Sequence, residues 1–159
     1  MFACGIGYDV HRFAEGRPLV LGGVTIPHPV GLDGHSDADV LCHAIADALL
    51  GAAGQPDIGH FFPNTDESIR GMNSLEIVRI VRERLTADGV TILNVDATLI
   101  AEAPKIYPHL DAMKAHLSSA LGVPPGRVGI KATTNETMGF IGRQEGIAAM
   151  AVAAVNRPD

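Results

Sequence analysis

Gly146-Ile147-Ala148-Ala149-Met150-Ala151-Val152-Ala153-Ala154-Val155 decides how this chain folds. Its alanines favour a helix. Its unbroken apolar run fits a strand buried on both faces of a sheet. The local pattern leaves both readings open.

Working back from that stretch, residues 128–133 read as a strand. A helix opens at Pro108, a residue suited to the first turn. It presents Leu110, Met113, Leu117 and Leu121 and ends at Gly122, before Pro124-Pro125. Residues 91–102 read as a strand, with Leu93, Val95, Ala97 and Leu99 on one face and Asn94, Asp96 and Thr98 on the other. Asn73 is a plausible N-cap, with Glu76 three residues on. The helix it starts runs through Leu75, Val78, Val81 and Leu85 and stops near Gly89.

Residues 54–73 form a loop of a length often tied to function. Residues 39–53 read as a helix whose apolar face is Leu41, Ala44, Ile45, Ala48 and Leu49. Asp39, His43 and Asp47 lie four apart on another flank. Spacing alone leaves open whether that flank is solvated or functional. Residues 19–21 and 24–26 flank Gly22-Gly23 as a hairpin, residues 1–13 read as a strand, and residues 27–38 as a functional loop. The order gives an α/β (α+β) fold, with a mixed β-sheet and helices packed on one face.

A length of 159 residues, 47% hydrophobic and 19% charged, predicts one globular domain over residues 1–159. No apolar run approaches the ~20 residues that cross a bilayer, and no charged segment followed by an apolar one reads as a signal peptide. No membrane association is expected. The net charge of −6 argues against nucleic acid as a partner. A small polyanion remains accessible through metals, Lys105, Lys131, Arg143 or backbone N–H groups. Cys4 and Cys42 make no disulfide framework and read as buried thiols in a reducing compartment, which suits the bacterial cytoplasm.

The chemistry concentrates in Gly7-Tyr8-Asp9-Val10-His11 and in Gly34-His35-Ser36-Asp37-Ala38-Asp39-Val40-Leu41-Cys42-His43. On a strand, Asp9 and His11 project to the same face. His43 falls near the start of a helix. One carboxylate and two imidazoles suit a zinc site with an open fourth position, the catalytic pattern.

These segments resemble the 2-C-methyl-D-erythritol 2,4-cyclodiphosphate synthase family. So do Gly22-Gly23-Val24-Thr25-Ile26-Pro27, Asp47-Ala48-Leu49-Leu50-Gly51, Asp57-Ile58-Gly59, Asn94-Val95-Asp96, Lys131-Ala132-Thr133-Thr134 and Gly142-Arg143-Gln144-Glu145-Gly146-Ile147, in order along nearly the whole chain. The resemblance implies a lyase of the non-mevalonate isoprenoid pathway. Its substrate is 4-diphosphocytidyl-2-C-methyl-D-erythritol 2-phosphate, and its products are the 2,4-cyclodiphosphate and CMP. It also implies Zn2+ on Asp9, His11 and His43, and Mg2+ or Mn2+ on Glu136. Asp39 or Asp47 is expected to support a metal-bound imidazole.

By the same resemblance, His35 and Thr134 stabilise the phosphoryl-transfer transition state and Ser36 donates to phosphate. Asp57, Ile58 and Gly59 hold the methylerythritol hydroxyls, beside a substrate loop of Phe62, Pro63, Asn64, Thr65 and Asp66. Ala101, Glu102, Ala103, Pro104, Lys105, Ile106 and Tyr107 form the cytosine pocket, and Thr133, Thr134, Asn135 and Glu136 meet the phosphates. The resemblance further implies a homotrimer whose sites lie between subunits, with the C-terminal run as a strand facing the threefold axis. Phe140 and Arg143 would border a central cavity for an isoprenoid diphosphate. Asn64, Glu102 and Asn135 stand where the family usually has Asp, Gln and Thr. The rival readings are a zinc phosphoester hydrolase and a non-catalytic trimer that binds isoprenoid diphosphates.

Overall fold

A computed structural model describes residues 1–158. The strands are β1 (Phe2–Ala14), β2 (Leu19–Leu21), β3 (Val24–Ile26), β4 (Gly31–Leu32), β5 (Thr91–Ile100), β6 (Val128–Thr133) and β7 (Gly146–Asn156). The α-helices are α1 (Val40–Ala52), α2 (Ile58–Phe61), α3 (Ser74–Ala87), α4 (Leu110–Leu121) and α5 (Gly139–Gly142). A five-stranded sheet has the order β4-β1-β7-β5-β6, and β2 and β3 form a separate hairpin. β5 and β6 run parallel and the other pairs antiparallel, so the sheet is mixed.

The C-terminal stretch is a strand, β7, between β1 and β5. Its alanines serve the helix above it. Gly5 and Gly7 on β1 pair with Ala153 and Ala151 on β7, and Ala149, Ala151 and Ala153 are buried. Together they make a trough without bulky side chains. α1 lies in it so closely that a Cβ on Gly7 would overlap the Ala44 carbonyl oxygen, and one on Gly5 that of Ala48. Small residues are the condition for such an approach, and tertiary packing overrides alanine's helix propensity here.

α3 packs on α1, and α4 on α3 and β6. All three helices therefore cover one side of the sheet. The core between the layers includes Leu41, Ile45, Leu49, Leu85, Leu99, Met113 and Leu117. The other sheet face is apolar and open: Ile6 is 66% exposed and Val152 48%, and Phe2, Tyr8 and Met150 lie with them. Cys42 is buried, but Cys4 is exposed on that open face, so the expectation of two buried thiols holds for Cys42 alone. Among the described residues, no helix is long and apolar enough to cross a membrane.

Several boundaries differ from those expected. Around Pro108 the chain forms a 3-10 turn, Tyr107–His109, and α4 begins at Leu110. β5 ends at Ile100, and a bulge between Ile92 and Asn94 changes which residues face the core. Ile92 is buried there and Leu93 only partly. The extra residue of a bulge reverses the alternation on one side of it. Asn73 caps α3 by accepting from the Leu75 amide, while Glu76 pairs with Arg79 instead of closing a capping box. Residues 54–73 contain α2 and a 3-10 turn, Glu67–Ile69. Gly122 ends α4 in the left-handed conformation, as its sequence position predicts.

Candidate metal centre and flanking cavities

Asp9 and His11 point from one face of β1 toward α1, and the trough brings His43, in the first turn of α1, down to meet them. Asp9 Oδ2 lies 2.9 Å from His43 Nδ1 and 3.2 Å from His11 Nε2. One ligand atom from each residue falls within 4.8 Å of the others.

Burial works to raise the pKa of Asp9. Hydrogen bonds and positive charge from His11 and His43 outweigh it and hold the carboxyl well below the usual range. For His11, burial works downward, but the hydrogen bond and charge of Asp9 prevail and raise the pKa above its ordinary value.

Protons can be placed by their partners. His11 Nδ1 bonds the Asp33 carbonyl oxygen, which only accepts, so Nδ1 carries a hydrogen, and Nε2 is the nitrogen that faces Asp9, donating to it while no metal is bound. His43 Nε2 lies 2.9 Å from Ser74 Oγ and 3.2 Å from Ser36 Oγ, with Nδ1 facing the centre. Metal-binding imidazoles show this arrangement, with one nitrogen inward and the other engaged. The donor set therefore fits a divalent metal ion, with room for a fourth ligand in a tetrahedral shell.

The two acids expected to support an imidazole do other work. Asp39 is fully buried and caps α1, accepting from the amides of Leu41 and Cys42, the Gly23 amide at 2.7 Å and the Cys42 thiol. Burial raises the pKa of Asp39 and lifts that of the Cys42 thiol further. Asp47 accepts from the Ile58 amide at 2.8 Å and so fixes the start of α2. Helix spacing placed both acids near His43, but each side chain turns to a backbone donor instead.

A cavity of about 230 Å³ opens on the triad. His35, Ser36, Ile58, Gly59, Phe62 and Asn64 line it with Asp9, His11 and His43. Ser36 Oγ is turned inward, accepting from the Ala38 amide. His35 Nε2 donates to the Asp66 carbonyl at 2.8 Å and ties the site to the loop. Asp57 caps α2 through the His60 amide, and Asp66 caps the following turn through Ser68. Pro63 and Thr65 are exposed and do not line this cavity.

A second cavity of about 320 Å³ is formed by Ala101, Glu102, Pro104, Lys105, Ile106 and Tyr107 together with Thr133 and Thr134. Ala103 joins Pro104 by a cis peptide bond. Beside this cavity the chain turns through two left-handed residues, Glu136 and Thr137. Glu102 Oε1 accepts from the amides of Asn135 at 2.8 Å and Thr137 at 3.2 Å. Thr134 Oγ1 donates to Glu136 at 2.9 Å. The two cavities share no lining residue. Phe140 lines a third, of about 590 Å³, with Val10 and Phe13, while Arg143 pairs with Glu145 at 2.6 Å.

Three supporting residues escaped the sequence reading. Arg17 donates to the carbonyls of Gly34 at 2.9 Å and Ser36 at 2.6 Å, clasping the loop that carries His35. Asp37 and Ser74 bond each other behind His43. Ser74 follows a good N-cap and reads simply as the first helical residue, and nothing in the sequence links it to position 37.

The sequence profile of the YgbB family matches residues 2–156. A relative from Akkermansia muciniphila named 2-C-methyl-D-erythritol 2,4-cyclodiphosphate synthase is 63% identical, over 98% of this chain and 92% of its own length. The bifunctional IspDF of Campylobacter jejuni superposes on the whole chain with a TM-score of 0.95 at 40% identity, and the match spans 43% of that longer protein. The CDP complex of Plasmodium falciparum IspF superposes with a TM-score of 0.85 at 32% identity, over 99% of this chain and 97% of that one. By sequence and by fold, the chain belongs to the YgbB family, alongside the 2-C-methyl-D-erythritol 2,4-cyclodiphosphate synthases.

Proposed function

We propose that this chain, as one synthase domain over residues 1–159, converts 4-diphosphocytidyl-2-C-methyl-D-erythritol 2-phosphate into 2-C-methyl-D-erythritol 2,4-cyclodiphosphate and CMP. The observation that carries the reading is the convergence of Asp9, His11 and His43 at the mouth of a cavity that also holds His35 and Ser36. An oxygen of the substrate's own 2-phosphate attacks the β-phosphorus. The bond from that phosphorus to the bridging oxygen breaks, and the oxygen leaves with CMP. No protein nucleophile is needed, so the chain's task is to position and neutralise two phosphates.

In this reading Zn2+ sits on Asp9, His11 Nε2 and His43 Nδ1, and Mg2+ or Mn2+ on Glu136. When bound, the cations supply the positive charge that lets two anionic groups approach. His35 and Thr134 stand at the transferring phosphoryl group, and Ser36 and Asn135 beside the phosphates. The segment Asp57, Ile58 and Gly59, with the loop from Phe62 to Asp66, holds the methylerythritol. The second cavity takes the cytidine, a reading supported by the likeness to a CDP complex. The cavity beside Phe140 and Arg143 takes an isoprenoid diphosphate.

The assembly is a homotrimer in the bacterial cytoplasm. Two observations support the trimer. The open sheet face is an apolar patch of the kind that marks an interface. The metal cavity and the nucleotide cavity of one chain have no residue in common, so a second copy is suited to join them.

Phosphorus NMR of the protein with Zn2+, Mg2+ and the substrate tests the proposal. The cyclic diphosphate with CMP supports it. An open-chain phosphate with CMP makes water the nucleophile and the protein a hydrolase. No turnover by zinc-loaded trimer favours a binding role.

A further inference from the structure

We propose that Ser74, held by Asp37, is the positioning residue that fixes which nitrogen of His43 faces the metal centre. The inference rests on the reading of Asp9, His11 and His43 as that centre. Ser74 is fully buried. Its Oγ bonds Asp37 Oδ1, and its amide donates to Asp37 Oδ2 at 3.0 Å. A carboxylate only accepts, so the Ser74 hydroxyl hydrogen points to Asp37. The Ser74 oxygen then offers a lone pair to His43 Nε2, 2.9 Å away. His43 must donate from Nε2, so Nδ1, which faces Asp9 2.9 Å away, is the nitrogen whose proton a metal would displace.

Asp37 is itself held from two sides. Its amide donates to the Met72 carbonyl at 3.1 Å, and its Oδ1 accepts from the Asp39 amide at 3.2 Å. The next residue, Ala38, takes a left-handed conformation with φ 59°. That conformation is uncommon for a residue with a Cβ. The turn thus ties the first residue of α3 to the loop before α1. His11 receives the equivalent support from a backbone carbonyl, Asp33, so the two imidazoles are set by different means.

Ser74→Ala separates this role from helix capping. It keeps the amide that Asp37 caps and removes only the hydroxyl. Zinc affinity, measured by competition with a chromophoric chelator, should fall about 10–100-fold, the usual cost of losing such support. Circular dichroism should stay unchanged, and Ser74→Thr, which keeps the hydroxyl, should recover affinity. The visible spectrum of the cobalt-substituted Ser74→Ala protein should change with the ligand geometry. A folded Ser74→Ala protein with wild-type zinc affinity overturns the inference.

Should that variant fail to fold, imidazole nitrogen NMR of the zinc-loaded wild type decides. A proton on His43 Nε2 supports the inference, and one on Nδ1 overturns it. Wild-type protein that takes up no zinc overturns the metal-centre reading itself, whereas uptake that is indifferent to Ser74 overturns this inference alone.

Discussion

Asp9 and His43 lie 34 residues apart on different elements, yet the carboxylate oxygen stands 2.9 Å from the imidazole Nδ1. With His11 they form a cluster whose charges support one another without metal, and pH should reveal it. Asp9 has its folded pKa lowered, so its contribution is present above its ordinary 3.8 and lost as pH falls through the lower folded value. His11 has its folded pKa raised, so its contribution is full below 6.5 and lost as pH rises through the higher folded value. Metal-free protein should gain from both between those two ordinary values. Urea melts in chelator at pH 5.5 and 8.5 should show the higher midpoint at 5.5, and Asp9→Asn should flatten the difference. Zinc affinity should run the other way, rising with pH as His11 loses its proton.

Gly7→Ala should destabilise the protein by roughly 1–3 kcal/mol or more, as overpacking does. The added Cβ would overlap the Ala44 carbonyl oxygen, and backbone cannot swing aside as a side chain can. Thermal melts give the loss. Zinc affinity should fall with it, because α1 carries His43 and rides on β1. Full retention of affinity would show that the helix can shift without moving the ligand.

Glu102 holds the turn that presents Glu136, by accepting the amides of Asn135 and Thr137. A glutamine carbonyl can accept the same two amides. Glu102→Gln should therefore keep most of the manganese and CDP affinity. Glu102→Ala should lose roughly tenfold, the worth of one hydrogen bond to a charged group. Titration of Mn2+ by paramagnetic resonance, with and without CDP, compares them. Equal behaviour of the two variants would sink this role.

Ile6→Asp and Val152→Asp each place a charge in the open apolar face without touching the core. Both should give folded monomers by light scattering, with cyclase activity lost because the two cavities are no longer joined. A monomer with full activity would remove the argument for a shared site.

Much of this was legible in the sequence for physical reasons. The pairing of Asp9 with His11 follows from strand alternation, and the hairpin at Gly22-Gly23 and strand β6 follow from local signals. β7 was not decidable locally, because its alanines answer to a helix packed across the sheet and not to their neighbours in sequence. The bulge near Leu93 left no local mark, and it moved Ile92 into the core. Asp39 and Asp47 were misassigned because helix spacing fixes where a residue sits and leaves open which donor its side chain meets. Ser74 was invisible for a related reason, since its partners are a loop acid and an imidazole from other elements.

The trough under α1 also bears on what happens when metal is withdrawn. In small zinc modules the ion itself gathers the chain, and chelation unfolds it. Here the distance between β1 and α1 is set by main chain resting on main chain, with Gly5 and Gly7 below and Ala44 and Ala48 above. The ligand cluster is thus cast by the fold before any ion arrives. Exhaustive chelation should leave the circular dichroism spectrum intact, and returned zinc should bind without a refolding phase. Metal, on this view, is a tenant of the architecture and not one of its beams.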